Sequence, residues 1–265
     1  MILLIFGFLC GNNFVSVAFA TKPTELEANC AHNTFPTGYT DGACYVCVTT
    51  SAIWSTQETK CINGFGPHLK NGHLVHLPSV QHKAKIIEEI CAFSPGNIYV
   101  GGKHVSGTGV LNEAWWWIGT AGQQWHIPSR TTNTGPWLTL GPSGDVPCME
   151  VNPTVGVTAY NDLPCGYSRR TVCQYNDPVA KAGQFLRRAV GERADDYFVF
   201  STTTNIERIG CSHACQQLPV CLSFAFSQST RTCKLQATQY AEATTPGHTV
   251  ADEYDWYDRI WSWDS

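Results

Sequence analysis

The residues that could hold a metal ion are a few oxygen-bearing side chains in the middle of the sequence. Between residues 117 and 163 the acidic residues are Asp145, Glu150 and Asp162, and Asn161 precedes the last of them. Calcium takes carboxylate and amide oxygens, but it needs about six to eight of them. We therefore expect a calcium site at Asp145, Asn161 and Asp162 to be weak, on the order of millimolar. The alternative is that Asn161 and Asp162 form a turn held by local hydrogen bonds.

Two histidines, His73 and His76, have a spacing that also suits a metal site. They fall within residues 72–79, a segment that we expect to be a strand, so a structural role is favoured. The sequence contains no Gly-x-Ser-x-Gly nucleophile elbow and no His-Glu-x-x-His zinc motif. We predict no catalytic residue and no enzyme.

The 13 cysteines indicate an oxidised, extracellular protein. Cys10 lies in an apolar N-terminal stretch, and the others form two groups, at residues 30–173 and 211–233. Zinc sites use two closely spaced cysteine pairs, whereas this sequence has only one such pair, Cys44-x-x-Cys47. An even number of remaining cysteines favours a disulfide framework with no free thiol.

The N-terminus and the charge distribution agree with secretion. Residues 1–20 are expected to be a signal peptide, because the segment is apolar and ends in the small-x-small sequence Ala18-Phe19-Ala20. No stretch approaches the roughly 20 apolar residues of a membrane span, so we expect no transmembrane segment. The 17 Lys and Arg residues are scattered and the net charge is −4, which gives no basic surface for nucleic acid.

Apolar spacing predicts two helices in the first cysteine group. Thr50 or Ser51 is expected to cap a helix that runs through Cys61, and Ser79 a helix that runs to Cys91. Strands are expected near residues 98–100 and 115–118, followed by a long loop region.

That loop region covers residues 119–147 and is rich in Gly, Pro, Ser and Thr. Loops of this length in a compact domain are usually functional. A polar stretch with Pro and Gly at residues 176–184 is predicted to be a linker between two domains.

Residues 30–175 resemble a C-type lectin-like domain of the long, N-terminally bridged form. The matching elements occur in order, namely Cys30, Cys44-Tyr45, the Trp54 to Cys61 helix, residues 72–79, Trp117-Ile118-Gly119, Trp137, Cys148-Met149-Glu150, Tyr160-Asn161-Asp162, Cys165 and Cys173. The resemblance implies an α+β fold with two helices, antiparallel sheets and a long loop region. It also implies the bridges Cys30–Cys44, Cys61–Cys173 and Cys148–Cys165, which leaves Cys47 to pair with Cys91.

C-type lectin-like domains hold calcium in their long loops through a Glu/Gln-Pro-Asn/Asp triplet, and a sugar completes the coordination. Counted from Trp137, the matching triplet here is Gly141-Pro142-Ser143, in which both flanking ligands are replaced. Val146 stands where the family has a further acid. Calcium is therefore the one cofactor that the resemblance suggests, at a degenerate site.

The residues expected to contact a ligand come from these loops. Trp117 and Trp137 are expected in the core, whereas Trp125, His126 and Arg130 are the best exposed candidates. With them we group the loop and strand residues Ser143, Asn161 and Asp162.

Residues 185–260 resemble a PAN/apple module, a small α+β unit. The spacing of Cys211, Cys215, Cys221 and Cys233 matches the core of that family. The resemblance implies the bridges Cys211–Cys233 and Cys215–Cys221.

Within this module we expect one helix and one buried strand. The helix is predicted to run from about Asn205 to before Pro219, since proline ends a helix. Leu222, Phe224 and Phe226 alternate, as on the inward face of a strand.

Two functions of different classes fit these features. In the first, a secreted recognition protein binds a carbohydrate or glycoprotein through the lectin-like domain, and the PAN/apple module adds a second protein or glycan contact. In the second, the chain is a calcium-independent protein–protein interaction module that binds no sugar.

Overall fold

The computed structural model describes residues 25–31, 34–40, 42–78, 80–93, 96–104, 115–119, 124–127, 147–152, 160–176, 184–218, 221–240 and 248–260. The predicted signal peptide lies outside these residues. No helix in the described part of the chain is both long and apolar enough to cross a membrane.

The described residues contain four α-helices, α1 (Glu25–Ala31), α2 (Trp54–Asn63), α3 (Val80–Lys83) and α4 (Arg208–Gln216). Helix α2 begins at Trp54, and its N-cap residue is Ile53, which makes no side-chain capping hydrogen bond. The prediction of a cap at Thr50 or Ser51 was wrong. Both residues belong to the preceding strand, which continues to Ala52 because it pairs there with a distant strand.

The second predicted helix is present but changes its winding. After α3 the chain continues as a π-helix over Ala84–Ile90, and the N–H of Cys91 donates to the carbonyl oxygen of Ile86 at 3.1 Å. This i to i−5 bond widens the turn. Both Ile86 and Ile87 are fully buried. The wider helical turn therefore places two consecutive isoleucines in the core. The expected cap, Ser79, lies outside the described residues.

Nine strands form the first sheet, β1 (Thr37–Thr40), β2 (Ala43–Ala52), β3 (His73–Leu74), β4 (Ile98–His104), β5 (Trp115–Ile118), β6 (Gln124–His126), β7 (Cys148–Val151), β8 (Tyr160–Leu163) and β9 (Arg169–Asn176). Their main order is β1-β2-β9-β4-β5-β6; β3 pairs with β9, and β7 pairs with both β4 and β8. All pairs are antiparallel except β4 with β9. Strand β6 lies inside residues 119–147, which were predicted to be a long loop region. That prediction was wrong for residues 124–126, because they pair with β5 and extend the sheet.

Five strands form the second sheet, in the order β10-β14-β12-β13-β11. They are β10 (Gln184–Ala194), β11 (Val199–Thr203), β12 (Ser223–Ser227), β13 (Thr232–Gln236) and β14 (His248–Ile260), and a 3-10 helix, Asp196–Phe198, precedes β11. The β10–β14 pairing is interrupted between Arg187 and Ala189 and again between Val190 and Glu192. We call residues 25–176 the first unit and residues 184–260 the second unit.

Helix α4 starts later than the sequence suggested. Asn205 has a φ of 57°, a left-handed conformation that cannot belong to a right-handed helix. The helix therefore begins at Arg208 and not near Asn205. Phe224 and Phe226 of β12 are buried as expected, and the intervening Ala225 is buried as well, so this central strand is covered on both faces.

Six disulfides hold these elements, and they are the pairings expected from the sequence: Cys30–Cys44, Cys47–Cys91, Cys61–Cys173, Cys148–Cys165, Cys211–Cys233 and Cys215–Cys221. Their Cα–Cα separations lie between 5.2 and 5.7 Å, which suits a bridge without backbone movement. The α+β class with antiparallel sheets and many disulfides is confirmed. No bridge in the described residues joins the two units.

The bridges should differ in how much they stabilise the first unit. Cys61–Cys173 closes a sequence separation of 112 residues and Cys148–Cys165 one of 17. Loop-closure entropy then gives about 5 kcal/mol for the first and about 3 kcal/mol for the second. We expect Cys61→Ala/Cys173→Ala to lower the free energy of unfolding by more than Cys148→Ala/Cys165→Ala, measured in urea. Equal losses would show that the long bridge does not act through the unfolded chain.

Candidate functional site

The two residues predicted as calcium ligands, Asn161 and Asp162, lie on strand β8 of the first sheet. The pairing with β7 places Asn161 opposite Glu150 and Asp162 opposite Met149. The alternative prediction of a turn at Asn161 and Asp162 was wrong, because residues 160–163 form a paired strand. Successive side chains leave a strand on opposite faces, and Asp162 is buried.

A carboxylate that the sequence had not assigned to any role, Glu150, is the polar centre of this region. It is only 2% exposed. Its Oε1 accepts hydrogen bonds from Asn97 Nδ2 at 2.6 Å and from Asn161 Nδ2 at 3.0 Å. Its Oε2 accepts a hydrogen bond from Arg169 Nε at 2.6 Å. A buried carboxylate needs such partners, and Glu150 therefore serves the fold.

These hydrogen bonds occupy the Glu150 carboxylate, which could otherwise bind a metal ion beside Asn161. Binding calcium through Glu150 would break its hydrogen bonds to Asn97 and Arg169, at a cost of about 1.5–3 kcal/mol each. Among the described residues, no group of three His, Cys, Asp or Glu side chains is arranged to hold a metal ion. The other predicted ligand, Asp145, lies outside the described residues, as do Gly141, Ser143 and Val146.

The exposed contact candidates are partly placed. Strand β6 carries Trp125 and His126, and its pairing with β5 sets Trp125 opposite Trp117 and His126 opposite Trp116. Only the backbone of these two candidates is described, and Arg130 lies outside the described residues. Trp117 is buried, 2% exposed, as predicted. Strand β6 therefore brings Trp125 and His126 to the edge of the first sheet that lies farthest from β1.

The two histidines, His73 and His76, lie together, with ring centroids 4.2 Å apart. His73 Nδ1 donates to the carbonyl oxygen of Leu74 at 2.8 Å, and its Nε2 accepts from Asn176 Nδ2 at 3.0 Å. His76 Nε2 donates to the carbonyl oxygen of Ile118 at 3.0 Å. The strand at this point is only His73–Leu74, shorter than expected, yet both rings serve packing and hydrogen bonding.

Burial keeps both imidazoles neutral. Burial lowers the pKa of His73 to about 4, although its hydrogen bond to the Leu74 carbonyl acts in the opposite direction. Burial, with the nearby His73 as a smaller cause, holds the pKa of His76 well below its ordinary value. Neither histidine is placed to exchange protons with a substrate near neutral pH.

No protein-family model and no curated protein matches this chain. Among solved structures, the chain is similar to human lithostathine, with a TM-score of 0.42 and 20% identity over 60% of this chain and 99% of that chain. It is also similar to the C-type lectin CEL-I from Cucumaria echinata, with a TM-score of 0.39 and 18% identity over 52% and 94% of the two chains. A calcium-independent type II antifreeze protein gives a TM-score of 0.39 and 23% identity over 53% and 92%. This likeness concerns the fold of part of the chain alone.

The Glu150 network predicts a large effect of one substitution on stability. Glu150→Ala leaves the Arg169 guanidinium and two amides without their acceptor, so the free energy of unfolding should fall by about 3 kcal/mol. The matched control is Glu89→Ala, which removes a surface ion pair with Lys85 and should cost less than about 0.5 kcal/mol. Urea unfolding measures both, and similar values for the two variants would rule out the structural role of Glu150.

The neutral His73 predicts loss of stability in acid. Its pKa is about 4 in the fold, against an ordinary value of 6.5, so below pH 6.5 the unfolded chain binds the additional proton. The contribution of His73 to stability is present above pH 6.5, is lost as the pH falls towards 4, and amounts to about 2 kcal/mol between pH 7 and pH 5. Unfolding of His73→Gln should depend less on pH than that of the unchanged protein. His68→Gln, at an exposed position, should leave the pH dependence as it is, and identical curves for all three proteins would contradict the assignment.

Proposed function

We propose that this chain is a secreted recognition protein that binds a carbohydrate or glycoprotein through a C-type lectin-like first unit. The observation that carries the proposal is the cysteine framework of that unit. Three of its four bridges join the positions that the resemblance implies, and the fourth, Cys47–Cys91, joins the two cysteines that were left over. Disulfides at this density are typical of extracellular proteins, which supports secretion.

The proposed ligand-contact region comprises strand β6 and the loops that follow it in sequence. Trp125 and His126 lie on β6, Arg130 and Ser143 follow it, and Asn161 lies on β8. Binding residues are concentrated on loops that a rigid scaffold positions. The two bridges Cys61–Cys173 and Cys148–Cys165 supply that scaffold on either side of the loop region.

We propose that binding does not need calcium. Two observations support this: the triplet Gly141-Pro142-Ser143 lacks the ligands of the family, and Glu150 is committed to Asn97, Asn161 and Arg169. The same observations favour the second candidate function, a protein–protein contact that involves no sugar. The PAN/apple-like second unit is proposed to add a further protein or glycan contact. A binding role is proposed in preference to catalysis, because His73 and His76 are neutral and hydrogen-bonded within the fold.

A glycan array decides between the two candidates. The full secreted protein is applied once with calcium and once with a chelator. Binding to the same glycans in both conditions supports calcium-independent carbohydrate recognition, and binding only with calcium contradicts the calcium-independent mode. If no glycan is bound in either condition, the protein–protein function is the remaining candidate. The double variant Trp125→Ala/His126→Ala should lose array binding, whereas His68→Ala, at an exposed position between α2 and β3, should retain it.

Thermal unfolding tests the calcium site separately. Millimolar calcium should hardly raise the melting temperature, because a ligand near its dissociation constant stabilises by only about 0.4 kcal/mol, against about 2.7 kcal/mol at a hundredfold excess. The triple variant Gly141→Glu/Ser143→Asn/Val146→Glu returns three oxygen ligands and should gain a calcium-dependent shift. A large shift in the unchanged protein that Asp162→Ala abolishes would overturn the calcium-independent mode.

A further inference from the structure

The second unit contains an open cleft of about 810 Å³ between helix α4 and the sheet. This volume lies in the range of small-molecule sites, about 300–1,000 Å³. Strands β10, β12 and β14, the start of α4 and the turn after β12 contribute its lining residues, which include Phe185, Arg187, Arg208, Phe224, Gln228 and Tyr257. None of these residues belongs to the site proposed for the first unit.

Strand register explains why this cleft has an aromatic floor. Tyr257 of β14 pairs with Arg187 of β10 on one side and with Phe224 of β12 on the other. The rings of Phe224 and Tyr257 stack with centroids 4.8 Å apart, and Phe185 meets Phe224 edge-on at 5.0 Å. Phe224 and Tyr257 are buried. The two stacked rings are therefore fixed by packing, whereas Ile209 of α4, which also lines the cleft, is 70% exposed.

Two exposed guanidinium groups are fixed above this floor by one hydrogen-bonded chain. Arg208 Nη1 donates to Tyr257 Oη at 3.3 Å, and its guanidinium lies 5.8 Å from the centre of that ring. The Tyr257 hydroxyl donates to Asp255 Oδ2 at 3.4 Å, and Arg187 Nη1 donates to the same oxygen at 3.3 Å. The two guanidinium groups are thus linked through one carboxylate, that of Asp255, which forms an ion pair with Arg187 and reaches Arg208 only through the Tyr257 hydroxyl. Within the described residues, no carboxylate lies within ion-pair distance of Arg208.

The remaining charge of the lining does not cancel this excess. Glu207 lies beside Arg208 in the sequence but forms an ion pair with Arg231. The exposed amide of Gln228 adds a neutral donor and acceptor at the opening. A planar guanidinium binds a carboxylate or a sulfate through two parallel hydrogen bonds, and an amide pairs with hydroxyl groups.

We infer that this cleft binds an acidic saccharide, whose carboxylate or sulfate group is held by Arg187 and Arg208. The two guanidinium groups and the Gln228 amide can together pair with an acidic group and with hydroxyl groups of one ligand, which favours a saccharide over an acidic peptide. The inference extends the proposed function to the second unit, and it rests on that function only in taking the ligand to be a glycan.

Binding of defined saccharides to the full-length protein tests the inference. The probes are a hyaluronan tetrasaccharide, which carries carboxylates alone, a heparin tetrasaccharide, which also carries sulfates, and neutral cellotetraose. At about 0.15 M salt we expect at least one acidic probe to bind, with an affinity that falls as salt is added, and no binding of cellotetraose. The two acidic probes distinguish a carboxylate ligand from a sulfate ligand.

Substitutions locate the binding in the cleft. Arg187→Gln and Arg208→Gln should each weaken binding about tenfold, as expected for loss of a charge-assisted hydrogen bond. Arg193→Gln is the matched control, because Arg193 lies on the same strand but pairs with Asp196 outside the cleft, and it should bind within about twofold of the unchanged protein. Arg208→Lys keeps the charge and should bind more tightly than Arg208→Gln, which separates loss of charge from loss of folding.

Three outcomes would overturn the inference. In the first, the two cleft variants bind like Arg193→Gln. In the second, cellotetraose binds as well as the acidic probes. In the third, a tyrosine-sulfated peptide binds and no saccharide does. If an array identifies only neutral ligands, the inference fails while the function proposed for the first unit stands. If acidic probes bind through the two arginines and Trp125→Ala/His126→Ala changes nothing, the inference stands and the role proposed for the first unit fails.

Discussion

The bridge between Cys61 and Cys173 is the constraint on which the first unit depends. It joins helix α2 to strand β9, and β9 is the strand on which β2, β3 and β4 assemble. At Cys173 itself the register places Val46 on one side and Leu74 on the other. Fixing one residue of β9 therefore positions a helix and two strands together. In a chain with few charges and long loops, such a covalent contact replaces much of the packing that a larger core would supply.

Two buried polar side chains inside this scaffold, Glu150 and His73, are hydrogen-bonded by their neighbours. Glu150 accepts hydrogen bonds from Asn97, Asn161 and Arg169. The ring of His73 is hydrogen-bonded to the Leu74 carbonyl and to the Asn176 amide. Groups that in another protein would bind a metal or move a proton are here committed to hydrogen bonds. The proposed contacts lie instead on strand β6 of the first unit and on the exposed guanidinium groups of the second.

The sequence predicted the cysteine pairing and the fold class, because its motifs resemble, in order along the chain, those of families whose bridges and fold are known. It did not predict where helix α2 begins, since Thr50 and Ser51 are drawn into β2 by pairing with β9, a contact between distant residues. Helix α4 was placed too early because the left-handed conformation of Asn205 leaves no mark in the apolar pattern.

The Glu150 network was also missed. Asn97 lies 53 residues from Glu150 in the sequence and Arg169 lies 19 residues away, and only the pairing of β4 with β7 and with β9 brings them together. The arginine cleft has the same origin, since Arg187, Tyr257 and Phe224 are neighbours only across strands. Contacts made between strands are absent from any local spacing, which is why the fold was easier to predict than either site.

The interruptions in the β10–β14 pairing have a consequence for the behaviour of the protein at high concentration. In the described residues β10 is an edge strand of 11 residues, and it carries Val190 with 66% of its surface exposed. A flat edge of that length presents a regular row of unpaired N–H and carbonyl groups, on which a second molecule can add its own strand and start a fibril. The two irregularities break the spacing of that row. The chain can thus keep apolar side chains at this edge without offering a second molecule a regular template.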